Sequence, residues 1–403
     1  MTGKYQEKFM GVRIIFYCLL QSSLFFSSAI AQEANEQAAP DQTVAADADT
    51  SDTKENEKEK EKDSGRGRFL ALPFVITEPA IGEGLGAGLI YFHRTTDSER
   101  PKISNGKTLA EIGKRPKPPP TASGAFGLYT NNGTYAYGIG HARTFRDDTY
   151  RYTGAIAGVS VNATLYENDI PFDFNLAGGV FYSNLERRIG TGNFFLGTSV
   201  SYLDATTKFD TDPSDQRRPS ESDFSFTDIG LSLSGIYDNR DDSMMPSEGY
   251  LADLTVWRYD DAIGGDFNYW SSRFKVNYFR RLHEKFVLGL RFDVATASGN
   301  IPFYAVPFVE LRGIPALRYQ GETAGAVEVE GRYDFAKRWS VVAFVGKGFI
   351  NEGDAATGTE DNIRTAGVGV RFLALKEQNF WLGLDVAQGP EIKAWYIQMG
   401  HAW

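Results

Sequence analysis

Residues Lys285–Ala297 read KFVLGLRFDVATA. Side chains in a strand alternate between two faces, so Phe286, Leu288, Leu290, Phe292 and Val294 share one face. Val287, Gly289, Arg291 and Asp293 share the other. The neighbouring segments repeat the pattern. Phe274, Val276 and Tyr278 oppose Arg273, Lys275 and Asn277, while Val327, Val329, Tyr333 and Phe335 oppose Glu328, Glu330, Arg332 and Asp334. A sheet built from such strands separates an apolar medium from a polar one.

Segments of this kind recur about sixteen times between Phe69 and Trp403. Soluble up-and-down barrels stop near eight strands with filled interiors, so this number favours an apolar-out, polar-in wall. The expectation is all-β: a transmembrane antiparallel β-barrel of about 16 strands, with both termini periplasmic because the count is even. Composition fits. The chain has 29 Phe, 20 Tyr and 42 Gly, yet 23% charged residues and a net charge of −10, because only alternate residues of a barrel need be apolar. The acidic balance argues against nucleic acid as a partner.

The N-terminus indicates export. Lys4, Lys8 and Arg13 precede an apolar run from Ile14 to Ile30, and Ala29-Ile30-Ala31 offers a small-x-small cleavage site, so residues 1–31 read as a signal peptide. No later apolar stretch approaches the ~20 residues of a membrane helix. Cys18, the single cysteine, lies in this leader, which excludes disulfides, thiolate metal sites and cysteine nucleophiles from the mature chain. Residues 32–68 are rich in Ala, Asp, Glu and Lys and poor in large apolar residues, so disorder is expected there. The barrel domain is placed at 69–403.

Connections alternate in length. Arg146–Thr149, His283–Glu284 and Ala336–Lys337 are tight, as periplasmic turns are; Asp210–Asp223, Ser298–Thr323 and Asn351–Asp361 are long and polar, as external loops are. The basic, proline-rich connection Thr95–Thr121 breaks the scheme, being long yet periplasmic by count. The closing run Ile392–Trp403 reads as a final strand, with Trp395, Ile397, Met399 and Trp403 on one face and Tyr396, Gln398, Gly400 and Ala402 on the other.

Two motifs go further. Tyr237-Asp238-Asn239-Arg240-Asp241-Asp242 is followed by Pro246 and Gly249, and Leu311-Arg312-Gly313-Ile314 lies in the loop after the eleventh strand. Together, at these offsets from an aromatic terminus, they resemble the barrel of the BamA/TamA outer-membrane assembly superfamily, the bacterial surface antigen barrels, in a short member without POTRA domains. That family carries an Asp-x-Arg-Asp…Pro-x-x-Gly turn between its eighth and ninth strands. It also carries an aliphatic-Arg-Gly-aromatic tip on its sixth external loop. An arginine facing carboxylates makes a directional anchor, and Glu328 and Glu330 sit two apart on the inward face of the next strand. Pairing Arg312 with them would pin the loop across the lumen. In the family an aspartate on the following strand joins in. Here that position reads as Gly346, and Ile314 replaces the aromatic, so a weaker anchor is expected.

The resemblance implies protein insertion or translocation, or lipid reorganisation at a seam between first and last strands. Partners would be outer-membrane lipid and a periplasmic protein or unfolded outer-membrane client. Trp395, Tyr396 and Trp403 would form the terminal assembly signal. A passive pore plugged by the Arg312 loop, or an outer-membrane enzyme, remain alternatives. The enzyme reading has little support: His93, His141, His283 and His401 are scattered, without metal-ligand spacing, and there is no nucleophile-elbow serine. Gly84-Leu85-Gly86-Ala87-Gly88 is followed by a strand rather than a helix, so close strand packing explains it better than a phosphate loop. The expectation is a non-enzyme with no cofactor, no metal and no catalytic residues, and with its oligomeric state open.

Overall fold

The computed structural model describes residues 68–93, 121–146, 148–167, 170–209, 224–242, 244–351, 363–375 and 380–403. The leader expected at 1–31, the segment 32–67 and the connection 94–120 lie outside these residues, as do the long loops 210–223 and 352–362. Sixteen strands form one sheet. They are β1 (Arg68–Glu78), β2 (Gly82–Phe92), β3 (Ala122–Thr130), β4 (Tyr135–Phe145), β5 (Tyr150–Glu167), β6 (Ile170–Arg188), β7 (Phe194–Phe209) and β8 (Phe224–Asp238). Then come β9 (Gly249–Tyr259), β10 (Tyr269–His283), β11 (Phe286–Gly299), β12 (Thr323–Ala336), β13 (Trp339–Asn351), β14 (Arg364–Leu375), β15 (Phe380–Gln388) and β16 (Lys393–Met399).

Each strand pairs antiparallel with its sequence neighbour, in the order β1 to β16 without crossover. The series stops there: β1 and β16 lie side by side, but no ladder joins them among the described residues. The barrel is therefore nearly closed, with one seam. The first residue of β1 and the last of β16 share one end, called here the terminal end.

Alternation decides which face meets lipid. Leu85, Leu233, Val345, Val368 and Leu384 are at least half exposed on the outer wall, whereas Glu328, Glu330, Arg371 and Asp385 are buried inside. The glycine-rich stretch of β2 serves packing. A Cβ on Gly84 would meet the Tyr129 carbonyl at 2.3 Å, and one on Gly86 the Phe74 ring at 2.2 Å.

Two sequence expectations need correction. The last strand ends at Met399, because Gly400 adopts φ +72° and turns the chain out of the ladder. Trp403 therefore leaves the outer face and enters the lumen, where its ring lies 5.4 Å from that of Phe279. Nor is the lumen uniformly polar. Beside β5–β8 it is filled by an apolar cluster that includes Phe174, Leu176, Val180, Leu203 and Phe226. These inward residues are covered by a loop instead of water.

Candidate functional site

That covering is the connection between β11 and β12, residues 300–322, which folds back into the barrel. Prolines at 302, 307 and 315 deny it ladder donors, so it cannot extend the strands. A short 3₁₀ turn, Phe303–Ala305, presents two rings to the β5–β8 wall. Phe303 sits 5.8 Å from Phe174 and 5.7 Å from Phe209, and Leu317 is fully buried in the same cluster. The Tyr304 and Tyr269 hydroxyls both donate to Asp228, at 2.9 and 2.8 Å.

The loop's tip runs to the other wall. Arg312 donates to Glu328 (2.5 Å) and Glu330 (2.8 Å) of β12 and to Asp385 (2.7 Å) of β15. The Phe344 ring lies 3.4 Å beneath its guanidinium. Burial alone would push this guanidinium down, but the three carboxylates hold it above its ordinary value. Asp385 is shared with the fully buried Arg371, which donates to both carboxylate oxygens.

The third carboxylate thus comes from β15, a partner the sequence reading did not single out. Gly346 has a different use. A Cβ there would meet Leu311 at 2.8 Å, so the glycine makes room for the loop rather than holding it. Ile314 is buried with Val309, Leu311 and Tyr319.

Glu310 was also missed. It accepts from Arg273 at 2.8 and 2.5 Å, its carbonyl accepts from Arg291 at 3.1 Å, and Asp293 accepts from both arginines. Glu310 therefore ties the tip to β10 and β11, while Arg312 ties it to β12 and β15. The signal was in the sequence: the inward positions of β10 and β11 include Arg273, Lys275 and Arg291, and those of β12 include Glu328 and Glu330. A Glu-x-Arg tip complements both.

The same loop straddles the seam. The Gly313 N–H donates to the Tyr396 hydroxyl of β16 at 2.8 Å, and the Ala316 N–H donates to Glu78 of β1 at 3.1 Å. Arg318 donates to Glu391, beside β16, at 2.6 Å. On the outer side, the Trp395 indole donates to Glu83 of β2 at 3.1 Å. Side chains and loop, rather than a backbone ladder, join the two edges.

At the terminal end, the 239–248 turn between β8 and β9 is built by its own acids. Arg240 donates to both oxygens of Asp238 (3.0 and 2.9 Å), and Asp241 accepts from the Ser247 and Glu248 N–H groups. Met244, Met245 and Pro246 are buried, and Arg332 of β12 donates to the Pro246 carbonyl and the Ser247 hydroxyl. Gly249 closes the motif at φ +96°, and a Cβ there would meet the Asn239 carbonyl at 2.5 Å. Gly249→Ala is expected to cost about 1–3 kcal/mol through backbone strain, read as a lower urea midpoint of the folded barrel.

The segment after β16 docks on this turn, since the His401 N–H donates to the Met244 carbonyl at 2.6 Å. From there the Trp403 indole donates to Glu328, and the His401 ring lies 3.0 Å from Glu330. Burial pushes the His401 imidazole down against the attraction of Glu330, with Arg371 and Arg332 adding to the fall. The carboxylate pair that receives Arg312 thus also receives the chain's last residues.

The histidines are less scattered in space than in sequence. His93 and His141 flank Ser123, His283 is exposed at the end of β10, and His401 joins the anchor. Among the described residues, no three or more His, Cys, Asp or Glu side chains are grouped to hold a metal ion.

Comparison with known proteins agrees with this geometry. No curated protein matches by sequence. The fold is similar to BamA from Haemophilus ducreyi lacking POTRA domains 1–3, with TM-score 0.59 and 12% identity over 83% of this chain and 70% of that one. It is also similar to CdiB from Escherichia coli, with TM-score 0.54 and 8% identity over 82% of this chain but only 62% of that one. Residues 124–311 match the model of the Omp85 superfamily domain, a stretch that runs from β3 to the Leu311 step of the loop tip. Residues 124–311 thus carry an Omp85 superfamily domain match within a sixteen-stranded transmembrane barrel whose fold is similar to that of BamA, and no POTRA domain is present among the described residues.

Proposed function

We propose that this barrel sits in the bacterial outer membrane, exported through a cleaved leader at 1–31 with its terminal end periplasmic. There it assists insertion or translocation of proteins, or reorganisation of lipid, at the β1–β16 seam. The observation that carries the reading is the loop tip. It is braced on β10–β12 and β15 by Glu310 and Arg312, and tied across an unladdered seam by Gly313 and Ala316. Strand edges without a ladder present free N–H and C=O groups, which can template an incoming strand. The brace sets how far the edges part. Clients would be unfolded outer-membrane proteins, delivered by a periplasmic partner, with outer-membrane lipid as the surroundings.

The plugged-barrel reading has its own support. At the terminal end the β8–β9 turn docks on the inward Arg332 of β12, and the segment after β16 docks on that turn. Arg312→Ala separates the two. The assembly reading expects folded barrels at unchanged abundance with client insertion or lipid redistribution lost at least tenfold. The plug reading expects raised single-channel conductance and no such phenotype.

A further inference from the structure

The outer wall of β2–β6 carries, near the terminal end, side chains that an apolar belt does not need. Tyr137 and Ile139 of β4, Ile156 of β5 and Phe181 and Leu185 of β6 face outward. By strand alternation His141, Arg143 and Phe145 of β4, Tyr150 and Tyr152 of β5, and Arg187 of β6 share that wall. Ser123 of β3 pairs with His141 in register, and His93 follows β2 beside it.

Five arginines crowd the β4–β5 turn and the end of β6, and they divide by face. Arg151 and Arg188 both pair with the buried Asp148. Arg143, Arg146 and Arg187 are exposed, and Arg146 and Arg187 have no carboxylate partner among the described residues. All three guanidinium groups lie around a stacked pair, Phe145 and Tyr150, whose rings are 5.4 Å apart. Arg143 lies 6.0 Å from Phe145, and Arg146 and Arg187 lie 5.6 and 6.0 Å from Tyr150. Ring contacts of this kind hold cations at the wall and leave their charge in place.

The histidines add donors. The Ser123 hydroxyl is 2.8 Å from Nε2 of His93 and 2.8 Å from Nδ1 of His141. A hydroxyl has one proton, so it donates to one ring and accepts from the other. Whichever tautomers are present, the ring that accepts from Ser123 keeps an N–H on its other nitrogen, available to a ligand. A local excess of cations and N–H donors on a chain of net charge −10 runs against its overall sign.

We propose that this patch is a headgroup site for a phospholipid of the surrounding leaflet. The phosphate would lie among Arg143, Arg146 and Arg187, with an imidazole N–H reaching the phosphate or glycerol oxygens. The acyl chains would run along Ile139 and Ile156. A membrane lipid fits better than a free anion because the site lies on the lipid-facing wall, beside interfacial aromatic rings.

The test titrates dioleoylphosphatidylglycerol, dioleoylglycerol or inorganic phosphate into the folded full-length barrel in uncharged maltoside micelles, with bound ligand read by native mass spectrometry. The phosphatidylglycerol is expected to bind, dioleoylglycerol to bind far more weakly, and inorganic phosphate not to displace the lipid. Each arginine replaced by glutamine should weaken binding about fivefold, so R143Q/R146Q/R187Q should lose on the order of a hundredfold. The pair R280Q/K337Q, exposed basic residues on β10 and in the β12–β13 turn, should bind as the parent does. Unchanged binding by the triple variant, or an equal loss in the control pair, overturns the site. Equal binding of dioleoylglycerol overturns the phosphate assignment, and displacement by inorganic phosphate overturns the lipid assignment. The measurement uses no client or assembly readout, so its failure leaves the seam proposal standing, and the converse holds.

Discussion

Asp385→Asn is expected to lower barrel stability by about 3–5 kcal/mol, more than removal of any single hydrogen bond would. This one carboxylate answers two buried guanidinium groups, Arg312 from the loop and Arg371 from the neighbouring strand β14. With it neutralised, Arg312 keeps Glu328 and Glu330. Arg371 is left with neutral acceptors only: the amide oxygen that replaces the carboxylate, the Gln398 side chain at 3.4 Å and the Val370 carbonyl at 3.3 Å. Its side chain is fully buried, so water cannot supply the missing partner. The measurement is the urea midpoint of the folded barrel in micelles, followed by tryptophan fluorescence. The double variant Asp385→Asn, Arg371→Met should recover part of the loss, because it removes the stranded cation as well. If the double variant is no better than the single one, the cost lies in packing rather than charge.

Phe303→Ala should act at the other end of the same loop with a comparable loss, about 3–5 kcal/mol. The ring is almost fully buried and meets Phe174, Phe209, Phe224 and Tyr304. Truncation leaves a cavity lined by rings on β6, β7 and β8, which the ladder keeps from collapsing inward. The loop should then detach from the β5–β8 wall while Arg312 still holds its tip. Hydrogen exchange would show this as lost protection over 301–308 with protection kept at 310–314. Uniform loss across the loop would mean that its two attachments form one cooperative unit.

The strands were legible in the sequence because alternation is a local property. Phe286 to Val294 repeats apolar side chains every second residue, and a wall between lipid and lumen needs nothing more to specify it. Arg312, Glu328 and Glu330 could be drawn together because counting strands places all three inside one barrel. Asp385 could not, since it lies 73 residues beyond Arg312 on a strand that is not adjacent to β12, and only barrel curvature brings it to the same guanidinium. Glu310 and its arginine partners were visible as complementary charges, but which wall each would reach depended on how the loop entered.

Trp403 marks the same boundary. Its aromatic character and its place after a half-apolar strand pointed to the outer face. Gly400 at φ +72° turns the chain at the end of the ladder, and the Met244 carbonyl captures the His401 N–H. The sequence by itself determined the wall: sixteen alternating strands, their order, and which side chains meet lipid. The tertiary structure decided what fills the wall. The loop, the β8–β9 turn and the segment after β16 all converge on inward residues far from them in sequence, and burial of charge inside the barrel leaves those groups only one another as partners.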